Sequence, residues 1–456
     1  MRKHNMLKDH PGKSLLVFVL PMIVGNLFQQ FYNMADSIIV GKFVGEEALA
    51  AVGASYSLTT IFIMAAIGGG MGSSVVISQY FGAKKYKKMK TAIYTALISF
   101  FAISILLFIF GLLAKDWLLI SLKTPINIFG DAAVYLKIYF IGLPFLFMYN
   151  ILSAVFNALG KSEVPLYLLI FSSLLNIALD LFTVLTLKMG VAGVAVATVI
   201  AQGVSALISF AILIKTINTY DTGIAGIEKF DPAMLKKMVV VAVPSILQQS
   251  IVSVGMVLVQ SVVNTFGSSV LAGYSAGMRI ESICIVPMIA TGNAVSTFVA
   301  QNLGAGQHER AREGYAASYK IIIAFSASIA LIMAIFYRPI ISIFLDVGSA
   351  SRAYDVGISY LRFISYFYIF IGFKSITDGL LRGAGDMMVF TLANLINLAI
   401  RVFIAHKFAP LWGVNAVWYA IPMGWAVNYV ISFGYYKTGK WLQRGLIDEE
   451  AGRLSI

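Results

Sequence analysis

The sequence predicts an all-α membrane protein whose twelve transmembrane helices form two pseudo-symmetric halves. Three observations carry that expectation. The 456-residue chain is 59% hydrophobic and only 12% charged, about half the charged share of an ordinary soluble domain. Its apolar runs exceed the roughly 18 residues needed to cross a bilayer, and they do not alternate as barrel strands do. Long segments also return about 220 residues later, which is too long a period for a solenoid and fits a duplicated transporter half.

The first copy supplies spans over 15–43, 48–80, 91–113, 132–158, 164–187 and 190–214; the second supplies 238–266, 270–301, 315–337, 353–381, 387–406 and 411–436. The duplication is visible in named stretches. Ser78-Gln-Tyr-Phe-Gly-Ala-Lys84 returns as Ala300-Gln-Asn-Leu-Gly-Ala-Gly306, and Gly190-Val-Ala-Gly193 as Gly413-Val-Asn-Ala416. Leu174-Leu-Asn-Ile-Ala-Leu-Asp180 returns as Leu395-Ile-Asn-Leu-Ala-Ile-Arg401, so an acid in the first copy has become a base in the second. Residues 1–214 are expected to form an N-terminal lobe and 238–440 a C-terminal lobe. Between them runs a polar cytoplasmic linker, 215–237, carrying Asp221, Gly223 and Asp231-Pro232; a cytoplasmic tail, 441–456, follows the second lobe.

Net charge is +13, but its distribution does not suggest nucleic acid. Lys84, Lys85, Lys87, Lys88 and Lys90 crowd one connection on the inner side, whereas the outer connections hold only scattered bases such as Lys115, Lys123 and Lys188. This is the positive-inside pattern, which places both termini in the cytoplasm and the chain in the inner cell membrane, in contact with lipid. One cysteine, Cys284, excludes a disulfide framework, and four scattered histidines give no metal-ligand spacing. No cofactor is expected.

Ionisable groups inside spans are costly, so each needs a reason. Asp36, Asp180 and Thr198 all fall roughly 12 Å below the outer boundary by their distance from span ends. Asn176 and Asp180, four residues apart, share a helix face. In span 1, Asn26, Gln29, Asn33 and Asp36 form one polar stripe; Tyr32 lies beside it, and the group is a candidate cavity lining. Interhelical hydrogen bonding is the competing reading of the neutral members. In the second half, Lys374 and Asp378 have the spacing of a helix-face ion pair, Asp378 being also a candidate substrate contact. Arg279 and Glu281 point to different faces, and Arg401 is a candidate partner for Glu281. Pro21 and its counterpart Pro244 sit near the inner starts of spans 1 and 7, where a missing N–H permits bending; Pro21 is the candidate hinge.

The chain resembles the multidrug and toxic compound extrusion (MATE) family. The resemblance covers about residues 10–440 and rests on Leu20-Pro-Met22, Asn33-Met-Ala-Asp36-Ser-Ile-Ile-Val-Gly41, Gln79-Tyr-Phe-Gly-Ala83, Asn176-Ile-Ala-Leu-Asp180, Ala197-Thr198, Gln301-Asn-Leu-Gly-Ala305 and Leu381-Arg-Gly-Ala-Gly-Asp386. It implies two six-helix lobes around a central cavity, and efflux of organic cations driven by Na⁺ or H⁺. It also implies a cation-coupling site at Asp36, Asn176, Asp180 and Thr198, with Asn157 on span 4 as a neighbour. The absence of an acid in Pro244-Ser-Ile-Leu-Gln-Gln249 departs from another branch of the family and puts a second cation site in doubt.

The mechanism expected is antiport. Two carboxylates in one poorly hydrated pocket repel each other and titrate as a unit. A proton or Na⁺ held at Asp36 and Asp180 relieves that repulsion and favours one orientation, while a small lipophilic organic cation favours the other. The chain is expected to act as a monomer. A flippase for a lipid-linked saccharide is the alternative transporter, but such proteins often have fourteen spans and a basic cavity. An intramembrane enzyme would need a His-Glu-x-x-His helix, an acid cluster or a nucleophile pair, and none is present in the sequence.

Overall fold

In a computed structural model of the protein, residues 5–222, 226–345 and 352–447 are described. Gly223 of the linker and the tail beyond residue 447 lie outside them. Among the described residues the chain is almost wholly helical and contains no strand. The first half comprises α1 (Pro11–Ile39), α2 (Glu46–Gly82), α3 (Tyr86–Ser121), α4 (Ile126–Ala158), α5 (Glu163–Leu181) and α6 (Gly190–Ile217). The second comprises α7 (Pro232–Asn264), α8 (Ser268–Cys284), α9 (Val286–Gly304), α10 (His308–Ile341), α11 (Arg352–Ser365), α12 (Tyr368–Ala384), α13 (Met387–Trp412) and α14 (Asn415–Lys437).

Each of the twelve expected spans has a helical counterpart. The eighth is broken at Ile285, just before Pro287, into α8 and α9, because proline cannot donate to the preceding turn. The tenth is the pair α11–α12, bent by 53°. Among the described residues ten rods are long and apolar enough to cross a membrane, and the bent pair, taken as one span, makes eleven. The remaining helix, α14, has 23 residues, about 34 Å of rise. Its tryptophans, tyrosines and asparagines lower its hydropathy without shortening it.

Several helices run well past the apolar core. α4 begins at Ile126, ahead of the expected 132, because Asp131 is exposed and costs the helix little. α1 and α5 each end in a five-residue π-helical turn, Val40–Val44 and Phe182–Thr186. α7 and α13 carry no such turn.

Contacts divide the chain into two compact units, Val24–Ile246 and Met1–Ile23 with Leu247–Ile456. The boundaries therefore fall within α1 and within α7, each two residues after a repeat-related proline, Pro21 or Pro244. Side chains explain the assignment of each helix start. A Cβ on Gly72 would meet the Ala242 nitrogen at 2.5 Å, and one on Gly68 would meet Ile246 at 2.8 Å. These small residues on α2 let the first half of α7 approach closely, as small-residue faces do in membranes. Lys237 also reaches the Tyr80 hydroxyl at 3.3 Å, and the Asp231 N–H donates to the Thr95 hydroxyl at 3.0 Å. In the other unit, Arg310 donates to the Met6 carbonyl at 3.1 and 3.0 Å and also to that of Asp9. That clasp fixes the turn that leads into α1.

Candidate cation-coupling site

Four helices of the Val24–Ile246 unit bring the site together. α1 ends its regular helix three residues after Asp36, and α5 ends one residue after Asp180. The π-turns that follow pack on each other. Val40 and Val184 share a buried cluster with Ala48, Val191 and Val194, and Tyr135 of α4 packs against it. π-turns are rare and concentrate at functional sites, because one extra residue per turn re-aims the side chains before it. Gly193 of α6 makes room for this turn, since a Cβ there would sit 2.9 Å from the Thr183 hydroxyl.

Within this frame the carboxyl groups of Asp36 and Asp180 lie in hydrogen-bonding range of each other. Two ionised carboxylates are both acceptors, so such a pair closes only around a proton or a cation. Asp180 is fully buried, and neither of its oxygens has a hydrogen-bond partner; Asp36 Oδ1 is buried without one as well. Among the described residues, neither acid takes an ion pair. Removing two unpaired charges from water is strongly unfavourable, and among the described residues no base pairs with either to offset it.

Polar groups of α6, α4 and α1 complete the cluster. Asn176, only 1% exposed, donates to the Thr198 hydroxyl at 3.2 Å, and Thr198 donates to the Val194 carbonyl at 3.1 Å. The Asn176 carbonyl oxygen remains buried and without a partner. The Tyr32 hydroxyl lies in hydrogen-bonding range of Thr198 and in electrostatic reach of Asp36 and Asp180, and the Tyr135 hydroxyl lies in electrostatic reach of both acids. Beside them Tyr135, Tyr139, Gly142, Leu146, Thr198 and Gln202 line a narrow cavity of about 10 Å³, room for about one water. The donor set is oxygen only, from carboxyl, amide and hydroxyl groups. That set suits a proton or a hard monovalent cation and gives a soft metal no ligand.

The sequence-derived residues divide as follows. Asp36, Asn176, Asp180 and Thr198 come together as expected. Tyr32, expected only as a cavity lining, belongs to the cluster itself. Gln29 donates to Asn33 at 3.2 Å, and Asn26 and Asn33 are exposed, so the stripe leads from an open polar face to the half-buried Asp36. Asn157 is a correction. It stands in the last turn of α4, 22 residues beyond Tyr135, about 33 Å along the helix, and cannot touch the acids. Tyr135 and Tyr139 supply α4's contribution in its place. Asp378 belongs to the other unit, where Lys374 Nζ holds it at 2.6 Å and Asn394 donates to it at 3.3 Å.

Comparison with known proteins identifies the family and the fold. The MatE family model matches residues 21–182 and again 244–406, more than half of the chain and once per repeat. A probable multidrug resistance protein of Bacillus subtilis, YpnP, is 30% identical over 99% of this chain and 100% of its own length. A second from the same organism, YoeA, is 27% identical over 94% of each. The fold is shared with a solved multidrug resistance MATE family transporter of the MOP superfamily in its outward-facing conformation. That similarity has a TM-score of 0.88 at 26% identity, covering 95% of this chain and 96% of that one. With a duplicated helical unit, paired buried acids and a family match across both repeats, the chain belongs to the MATE family of multidrug-extrusion transporters.

Proposed function

We propose that the protein exports small lipophilic organic cations by antiport with H⁺ or Na⁺, through alternating access of the lobes 1–214 and 238–440. The observation that carries this reading is the Asp36–Asp180 pair, set together between the helices with no ion pair to a base among the described residues. A pair in that position requires an exchangeable cation. Its occupancy shifts the conformational equilibrium only by the difference in affinity between the two states. Tyr32, Asn176 and Thr198 set the oxygen donors around the ion, and the exposed Asn26 and Asn33 with Gln29 give a hydrated approach. The aromatic content of 13% suits flat cations through stacking and cation–π contacts. We place the protein in the inner cell membrane with both termini cytoplasmic.

Ethidium efflux from proteoliposomes under separately imposed proton and Na⁺ gradients tests this reading. Efflux should follow at least one of the two gradients and lose that dependence in Asp36→Asn and Asp180→Asn. Gradient-driven efflux that persists at full rate in both variants would rule it out.

A further inference from the structure

The second unit also buries Asp378 and Glu281, and each of these two has a basic residue of the same unit in reach. Asp378 is held by Lys374, with Arg382 in electrostatic reach. Glu281, on α8, is only 6% exposed and accepts the hydroxyl of Tyr360, which is itself fully buried. Tyr360 packs against Tyr274 and Trp418 at ring distances of 5.4 and 4.8 Å, and those two rings stack on each other. Water is thus excluded from the carboxylate, and a single phenol hydrogen bond does not offset a buried charge.

The positive charge comes from α13. The guanidinium of Arg401 lies in electrostatic reach of Glu281 and of the Tyr274 hydroxyl, without closing to a contact ion pair among the described residues. Its Nε is buried and has no hydrogen-bond partner. Arg401 stands at the repeat position of Asp180, and a second difference between the copies makes room for it. Gly424 is the counterpart of Ala201. A Cβ on Gly424 would run into the Asn397 side-chain oxygen and lie 2.7 Å from Arg401 Cγ. The arginine stem passes only because this residue is glycine.

We infer that Glu281 marks a cation site in the second unit whose occupant is the chain's own guanidinium, Arg401. The two halves then treat the same need in different ways: the first leaves its acids to a free cation, and the second carries a tethered one. The ligand class of the site is a guanidinium, and removing Arg401 opens it to a small guanidinium from solution. This inference goes beyond the coupling reading and does not depend on it, because its test reads cation binding to the Glu281 site and not transport.

The experiment uses the full-length purified protein as wild type, Arg401→Ala, Arg401→Lys and the double variant Glu281→Gln/Arg401→Ala. Melting temperature is measured with methylguanidinium chloride and with NaCl at equal ionic strength. R401A should melt below wild type, and methylguanidinium should restore at least half of the loss. R401K, which keeps the charge and loses the planar guanidinium, should melt between wild type and R401A, and neither wild type nor the double variant should respond to methylguanidinium. R401A as stable as wild type, R401A without rescue, or an equal shift in all variants overturns the inference. Should R401A fail to accumulate, the double variant must accumulate again, because removing both charges removes the imbalance; its failure also overturns the inference.

Discussion

The side-chain amide of Asn176 donates to the Thr198 hydroxyl at 3.2 Å, and that hydroxyl passes its own proton to the Val194 carbonyl at 3.1 Å. The first bond ties α5 to α6 one helical turn from Asp180, and the second, within α6, orients the Thr198 hydroxyl. They also fix the Asn176 amide so that its oxygen stays available beside the acids.

Thr198→Val removes the acceptor and leaves a buried amide N–H unsatisfied. An unsatisfied buried group costs about 1–3 kcal/mol. The variant should melt several degrees below wild type, whereas Thr198→Ser, which keeps the hydroxyl, should not. Equal melting temperatures for all three would show that this chain of bonds has no structural weight.

Gly193→Ala tests the π-turn after Asp180. The added Cβ would sit 2.9 Å from the Thr183 hydroxyl and 3.1 Å from Met189 Cβ, and overpacking of this kind costs about 1–3 kcal/mol. Ethidium efflux should slow while ethidium binding, followed by fluorescence anisotropy, is largely kept. An unchanged efflux rate would mean that the turn does not aim Asp180.

The pair of Lys374 and Asp378 has a 2.6 Å contact in a nearly dry setting. Lys374→Met leaves the carboxylate only the Asn394 amide and the reach of Arg382, and should cost up to the roughly 3–5 kcal/mol of a broken buried pair, whereas Lys374→Met/Asp378→Leu should recover most of that stability. Thermal melts of the two variants decide between a paired acid and one that is independently stable.

Arg310→Ala should release the N-terminal clasp. The Met6 and Asp9 carbonyls lose the guanidinium, the Met6 carbonyl keeping only the Asn302 amide at 3.4 Å, so amide exchange over Asn5–His10 should accelerate. The protection of α9 and α10 should stay as it is. Unchanged exchange in that turn would show that burial of Met6 and the Asn302 bond hold it without the guanidinium.

Much of this was legible in the sequence because hydrophobic length and repetition are strong signals. The duplicated stretches gave twelve rods, and a shared depth of about 12 Å picked out Asp36, Asp180 and Thr198. Tyr135 escaped the same depth argument for one reason. Span 4 was expected to start at 132, after the charge of Asp131, but α4 starts at Ile126. Measured from there, Tyr135 lies nine residues in, about 14 Å deep and level with the acids. Asn157 fails that same test, since it stands at the far end of α4. The π-turns were not legible, because a five-residue change of winding leaves no mark on hydrophobic periodicity. The crossing of unit boundaries inside α1 and α7 depends on which glycines face which backbone, and spacing alone does not reveal that.

The central claim is that Asp36 and Asp180 hold an exchangeable cation that substrate binding displaces. Ion release from purified protein on addition of ethidium tests it most directly, with a pH electrode in weakly buffered solution and a Na⁺-selective electrode in parallel. Wild type should release H⁺ or Na⁺ as ethidium binds, and Asp36→Asn/Asp180→Asn should bind ethidium and release neither. Release of the same size from the double variant, or ethidium binding to wild type with no ion leaving, would contradict the account.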